Sequence, residues 1–250
     1  MLIFRILKNV GGYSIFMTQV FRKPEKFRVF SRLFFREIDD LGMSSLGRVA
    51  FFSFFVGAVV SLQMAYNMGD NPFIPLSYIA LATRESIILE FAPTMISIVL
   101  AGKVGSYIAS SIGTMKVTEQ VDALEVMGVN SISYLVAPKI AAALIFFPIL
   151  IVMSMFLGIL GGWVASIGSG VCTSSDYILG LQSYFKPFYV VYALIKTEFF
   201  AFTIATIPSY YGYKVSGGAL EVGRASTLAV VWTSITIILL NYILTQLLLV

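Results

Sequence analysis

Three ionisable residues stand inside stretches apolar enough to enter a bilayer: Glu90, Lys196 and Glu198. A charge in hydrocarbon is costly and persists where it faces a cavity or an opposite charge. Glu90 and Lys196 are therefore expected to approach each other, either as a polar hinge beside a transport path or as an ion pair that only holds helices together. Gln63 and Asn241 are further polar positions at intramembrane depth, while Arg84 and Glu85 fall nearer a membrane surface. Other chemistry is thin. The chain has no histidine and one cysteine, Cys172, which removes His-based acid–base catalysis, most zinc sites and any internal disulfide. No nucleophile–base pair is visible, so no catalytic residue, metal or cofactor is expected on this chain. It has no G-x-x-x-x-G-K-[ST] phosphate loop either, so any ATP and Mg would be held elsewhere.

A second candidate is a partner-binding segment. Gly113–Asn130 reads GTMKVTEQVDALEVMGVN, too polar to span a membrane yet helically ordered. Val117, Val121 and Leu124 share one face at i, i+4 and i+7, and Glu119, Asp122 and Glu125 point elsewhere. This predicts an amphipathic helix over about 115–128, capped by Thr114 or Thr118 and stopped by a left-handed Gly128. Such a helix either receives a cytoplasmic partner or merely links two spans along the interface.

The elements that must position these residues follow from composition. The 250 residues are 58% hydrophobic and 12% charged, with a mean hydropathy of +0.89. Soluble domains run near half apolar and a quarter charged, and no soluble fold of this length could hide so much apolar surface. An all-α membrane protein is expected. A bilayer core of about 30 Å takes roughly 20 apolar residues in a helix, and five stretches qualify, at about 47–68, 78–103, 132–167, 188–211 and 227–250. The turn-rich Gly69-Asp70-Asn71-Pro72 separates the first two. The run Leu2–Leu7 is broken by Arg5 and too short for a leader's apolar core, so the first span is expected to serve as an uncleaved anchor.

Lys and Arg in the short flanking segments set the orientation. Arg5, Lys8, Arg22, Lys23, Lys26, Arg28, Arg32, Arg36 and Arg48 precede or open the first span, and residues 69–77 carry none. Lys103, Lys116 and Lys139 lie between spans two and three, Lys186 alone in the next loop, and Lys214 and Arg224 in the last. Basic and basic-poor segments alternate, which predicts a cytoplasmic N-terminus, a cytoplasmic 115–128 helix and a periplasmic C-terminus. Residues 1–46 read as a basic N-terminal segment ahead of a 47–250 transmembrane domain. Within it Phe27, Phe30, Leu33 and Phe34 recur at helical spacing and Arg28, Arg32 and Arg36 lie four apart. That pattern is a basic amphipathic helix in the headgroup plane, the alternative being a solvated arm that only sets topology. Ser154, Gly158, Gly162 and Ser166 repeat every four residues, as do Gly102, Ser106 and Ser110. Such ridges let helices pack closely in lipid, within one subunit or between two.

Several ordered segments together resemble one family. Ala101-Gly102-Lys103-Val104-Gly105-Ser106, Glu119-Gln120-Val121-Asp122-Ala123-Leu124, Met127-Gly128 and Tyr134-Leu135-Val136-Ala137-Pro138-Lys139 look like the signature of the Mla/Mce-associated ABC transporter permeases. Phe55-Val56-Gly57 with Leu62-Gln63, and Gly217-Gly218-Ala219 with Val222-Gly223-Arg224-Ala225, resemble that family's first span and the approach to its last. The likeness covers roughly residues 50–245. There are departures. Leu89-Glu90-Phe91-Ala92-Pro93 keeps a glutamate but lacks the arginine usually beside it, Arg84 lies five residues before Leu89, and Asn241 stands where some members carry aspartate.

The resemblance implies a permease subunit that moves phospholipids between the inner membrane and the periplasm or outer membrane. Two copies would form the membrane core, and ATP and Mg would be bound by a separate ABC ATPase. The residues implied to couple to that ATPase are Lys116, Thr118, Glu119, Gln120, Asp122, Ala123, Leu124, Met127 and Gly128; Gln63, Glu90, Lys196, Glu198 and Asn241 are the candidates for the lipid path. A periplasmic MCE-domain subunit and a small cytoplasmic STAS-type regulator are the further implied partners, and no nucleic acid is expected. Two other readings stay open on residues alone: an ion-gradient transporter with Glu90 and Glu198 as carriers, which would favour an inverted repeat that is not apparent, and a scaffold that only recruits a cytoplasmic protein.

Overall fold

The computed structural model describes residues 2–22, 27–68, 73 and 75–249, with side chains from residue 11 onward. The turn expected at 69–72, the side chains of the run Leu2–Leu7, and Lys23 and Lys26 lie outside the described residues. Among the described residues there are eight helices: α1 (Leu2–Phe21), α2 (Phe27–Met68), α3 (Ser77–Val117), α4 (Gln120–Val126), α5 (Ser131–Gly168), α6 (Ser174–Gln182), α7 (Phe188–Tyr213) and α8 (Ala219–Leu248). There is no strand among the described residues. Five of the helices, α2, α3, α5, α7 and α8, are long and apolar enough to cross a membrane. The protein is an all-α, multi-pass membrane protein. Helices suit hydrocarbon, because each satisfies its own backbone groups where no water can.

Several boundaries differ from the sequence reading for local reasons. The basic amphipathic segment and the first span are one helix, α2, so position 46/47 falls inside an element. The change of character is marked by π-helical turns at Ile38–Met43. The second span runs on to Val117, its helix widened into π turns at Ile87–Met95 and Ala101–Gly105. The segment between spans three and four holds a helix of its own, α6, whose Thr173 hydroxyl accepts from the Asp176 amide as an N-cap.

The described chain forms two compact units. Unit 1 comprises residues 1–44, 98–146 and 199–242. Its core is built from Ile108, Ala109 and Ile112 of α3, Val136 and Ala143 of α5, and Ile204 and Ala205 of α7, all shielded from solvent. The end of α1 packs on α7: Tyr13 Oη donates to Thr206 Oγ1 at 2.7 Å, and the Phe16 ring meets those of Tyr210 and Tyr213 at 5.7 and 5.6 Å.

Unit 2 comprises residues 45–97, 147–198 and 243–250. Here the Ser154/Gly158/Gly162/Ser166 ridge meets α2 of the same chain. Ser53 Oγ donates to Ser154 Oγ at 2.8 Å, Ser61 and Ser166 share a hydrogen bond of 2.5 Å, and a Cβ on Gly57 would overlap the Gly158 carbonyl. The ridge is thus spent on packing within one subunit, whereas Gly102 of the other ridge faces open space. Arg84 is buried within the protein. Its guanidinium donates to the carbonyls of Leu181 and Ser183 at 2.5 and 2.9 Å and so caps the C-terminal end of α6.

Candidate functional site

The segment joining α3 to α5 lies in unit 1. The α3 helix ends at Val117, so the Thr118 hydroxyl closes the end of α3 instead of opening the next helix: it donates to the Thr114 carbonyl at 2.9 Å. Glu119 then takes a left-handed conformation, φ 60°, and starts α4 without a side-chain cap. The helix expected over 115–128 is therefore the shorter Gln120–Val126. Gly128 closes it at φ +77°, as its lack of a Cβ allows. Of the apolar face, Val121 is fully buried and Leu124 half-buried, while Val117 belongs to α3.

Polar ties hold α4 to its neighbours. Lys116 Nζ pairs with Asp122 Oδ1 at 2.6 Å and lies 5.7 Å from the Tyr213 ring centroid, joining the end of α3 to α4. Glu125 accepts from Tyr213 Oη and from Ser131 Oγ, both at 2.8 Å, which joins α4 to the end of α7 and the start of α5. Those bonds, Tyr213's foremost, hold the Glu125 carboxyl below the ordinary carboxylate range. Asn130 Nδ2 donates to the Gln19 carbonyl at 3.1 Å, adding α1. Two apolar side chains are left outside at the tip. Val126 is 90% and Met127 68% exposed. Glu119, Gln120, Asp122 and Ala123 are exposed beside them.

The intramembrane polar cluster lies in unit 2. Lys196 is completely buried on α7, and its Nζ is 2.9 Å from Glu90 Oε1, 3.0 Å from Tyr192 Oη, and 3.3 Å from both Thr245 Oγ1 and the Leu89 carbonyl. Glu90 also accepts from Thr94 Oγ1 at 3.2 Å, and its side chain keeps 42% of its surface exposed. The Leu89 carbonyl that accepts from Lys196 belongs to the same π-helical stretch as Pro93, which has no amide hydrogen to donate. The pair therefore ties α3, α7 and α8 at a π-helical stretch, where π turns are often found at functional sites. Gln63 and Glu198 are exposed on α2 and α7 and take no part in it, and Asn241 lies one turn before Thr245 on α8. No cluster of His, Cys, Asp and Glu able to hold a metal occurs among the described residues.

Comparison with known proteins decides the class. The family described as "Permease MlaE" matches residues 34–247. The chain belongs to the MlaE permease family. It is 38% identical over 247 residues to a "probable ABC transporter permease protein" of Rickettsia bellii, covering 97% of this chain and 93% of that one. It is 30% identical over 231 residues to the chloroplastic protein TRIGALACTOSYLDIACYLGLYCEROL 1 of Arabidopsis thaliana, covering 91% of this chain and 65% of that one. It is also 28% identical over 236 residues to the intermembrane phospholipid transport system permease protein MlaE of Haemophilus influenzae, covering 94% of this chain and 89% of that one. As an MlaE-family ABC transporter permease the chain is a transport subunit and not an enzyme.

The permease fold recruits residues that the sequence reading passed over. Tyr192 and Thr94 complete the intramembrane cluster one turn from Lys196 and Glu90, and Thr245 one turn from Asn241, so i±4 spacing from each candidate was the available signal. Around α4, Tyr213, Ser131 and Gln19 carry no local signal, since they are brought there by tertiary contacts. Lys139, read as a loop charge, sits buried within α5 and donates to Glu37.

Proposed function

We propose that this permease moves phospholipids between the inner membrane and the periplasm or outer membrane, driven by a separate ABC ATPase that holds Mg and ATP and grips α4. The observation that carries the proposal is the Val126–Met127 tip. It is an exposed apolar knob on a seven-residue helix whose flanks are tied by side chains to α1, α3, α5 and α7. An apolar knob in water invites a partner's groove, and the ties let a pull on the knob reach four helices of unit 1 together. Side-chain hydrogen bonds and an ion pair suit this role, because they transmit force along fixed donor–acceptor vectors and need no new contact to form.

Orientation follows from the alternating basic segments: N-terminus and α4 in the cytoplasm, C-terminus in the periplasm, in the inner membrane. A second copy of the chain would complete the core. α2 and α8 have the least covered spans, with 33% and 22% of their most apolar windows buried, against 44–56% for the other three. Each of these faces is available to a partner copy, and an apolar face suits acyl chains. A periplasmic MCE-domain subunit would extend the route, and a small STAS-type regulator would bind on the ATPase side. Lys196 and Glu90 would fix α3, α7 and α8 beside that path. The exposed, separate position of Glu198 gives the ion-gradient reading no paired carrier.

Co-purification tests the proposal. The chain isolated gently from its native membrane should bring down an ABC ATPase and bound phospholipid, both identified by mass spectrometry. Recovery of intact chain with neither would overturn it.

A further inference from the structure

Of the three ionisable intramembrane residues, Glu198 alone makes no hydrogen bond or ion pair among the described residues. It stands on α7 ten residues after Phe188 and fifteen before Tyr213. At a rise of about 1.5 Å per residue it is roughly 15 and 22 Å from the helix ends. Half a bilayer core is about 15 Å, so the carboxyl lies near the middle of the membrane. A glutamate stem is too short to reach the headgroups from there, unlike that of a lysine or arginine near a helix end.

Nothing on its own helix neutralises it. Residues two apart do not face each other on a helix, and the Lys196 ammonium is buried against Glu90. Val191 and Ile195, seven and three residues before Glu198, share its face. Val191 is 50% exposed, Ile195 half-buried and Glu198 exposed, so an apolar face carries one carboxyl. Lipid covers such a face poorly, because a charge in hydrocarbon is costly and is kept where it meets an opposite charge. A second copy covers it no better. Its other charges at intramembrane depth, Glu90 and Lys196, are already paired, and two copies meeting by this face about a two-fold axis would oppose carboxylate to carboxylate. What complements the face is an apolar helix of another chain with one cation at mid-membrane.

We propose that Glu198 is the docking point for a membrane-spanning helix of a different protein. A Lys or Arg of that helix pairs with the carboxylate, and its apolar side chains cover Val191 and Ile195. The pair is strong where water is excluded, and a single pair at a single depth sets the register of the two helices. The inference rests neither on the lipid carried nor on the ATPase contact at α4.

Two measurements on the full chain test this. In native membranes, a photoreactive benzophenone amino acid placed at Val191 should cross-link to another protein, and mass spectrometry of the joined peptide should read a membrane span containing Lys or Arg. A joined peptide from a second copy of this chain, one from a span without a basic residue, or lipid adducts alone would overturn the proposal. The second measurement uses dicyclohexylcarbodiimide, an apolar reagent that modifies protonated carboxyls. The purified chain in phosphatidylcholine liposomes should be modified at Glu198, since a carboxyl left alone in hydrocarbon takes up a proton. In native membranes a paired cation keeps it ionised, and modification should fall roughly tenfold or more. Equal modification in the two settings, or none in either, would overturn the proposal. Glu198→Leu and the nearly isosteric Glu198→Gln should each lower the cross-link yield several-fold while leaving thermal unfolding of the purified chain no lower than that of the wild type. Undiminished cross-linking, or a less stable purified chain, would contradict it. Both variants should keep co-purification of the ATPase, so loss of the cross-linked partner alone bears on this face and absence of the ATPase from the wild type bears on the functional reading.

Discussion

Removing the Lys196 ammonium would take from Glu90 its counter-charge and from the Leu89 carbonyl this donor, while Tyr192 and Thr245 keep each other and Glu90 keeps Thr94. Breaking a buried pair costs about 3–5 kcal/mol, and the partial exposure of Glu90 puts Lys196→Ala toward the lower end of that range. The double variant Lys196→Ala/Glu90→Ala should recover part of the loss, because it leaves no unpaired charge. Thermal unfolding of the purified variants in detergent checks this, and additive losses would mean that the two groups are not coupled. Glu125 behaves differently. Its folded pKa lies below the ordinary 4.5, so the Glu125–Tyr213–Ser131 link is fully present above that value and is lost as pH falls through the lowered one. Coupling between permease and ATPase should therefore be insensitive to Glu125 protonation at neutral pH. Glu125→Gln should weaken stimulation of the ATPase without introducing a new pH dependence there, as a pH series of hydrolysis rates would reveal.

The elements separate what pattern can foretell from what packing decides. The five spanning helices, the amphipathic stretch after residue 27 and the left-handed Gly128 were legible, since each rests on local apolar length, helical spacing or the absence of a Cβ. The limits of α4 were not. Val117 and Val121 share a helical face in the sequence, but α3 persists to Val117 and Glu119 turns left-handed, so the face is split between two helices. The π turns around Glu90 and the burial of Arg84 and Lys139 were likewise hidden, because only the neighbouring helices supply their partners. The Ser154–Ser166 ridge announced close packing but not its partner, which is α2 of the same chain. Gly57→Val would drive side-chain atoms into the Gly158 backbone and should abolish monodisperse protein on size-exclusion chromatography. Met127→Asp, at a fully formed but exposed tip, should leave folding intact and remove co-purification of the ATPase.

At the scale of the whole molecule, the proposed topology puts Met127 and Cys172 on opposite sides of the membrane. In a Cys172→Ser background, Met127→Cys should resist a membrane-impermeant thiol reagent in intact cells and react once the inner membrane is opened. Labelling of intact cells would reverse the orientation and take α4 out of an ATPase's reach. The central claim is ATP-dependent lipid movement, with α4 gripped by the ATPase as proposed. Its most direct test is reconstitution of the permease with its co-purifying ATPase in proteoliposomes containing a fluorescent phospholipid. The account predicts lipid transfer that requires ATP and disappears in Met127→Asp while the lipid remains bound. Transfer that proceeds equally without ATP, or that survives Met127→Asp undiminished, would contradict it.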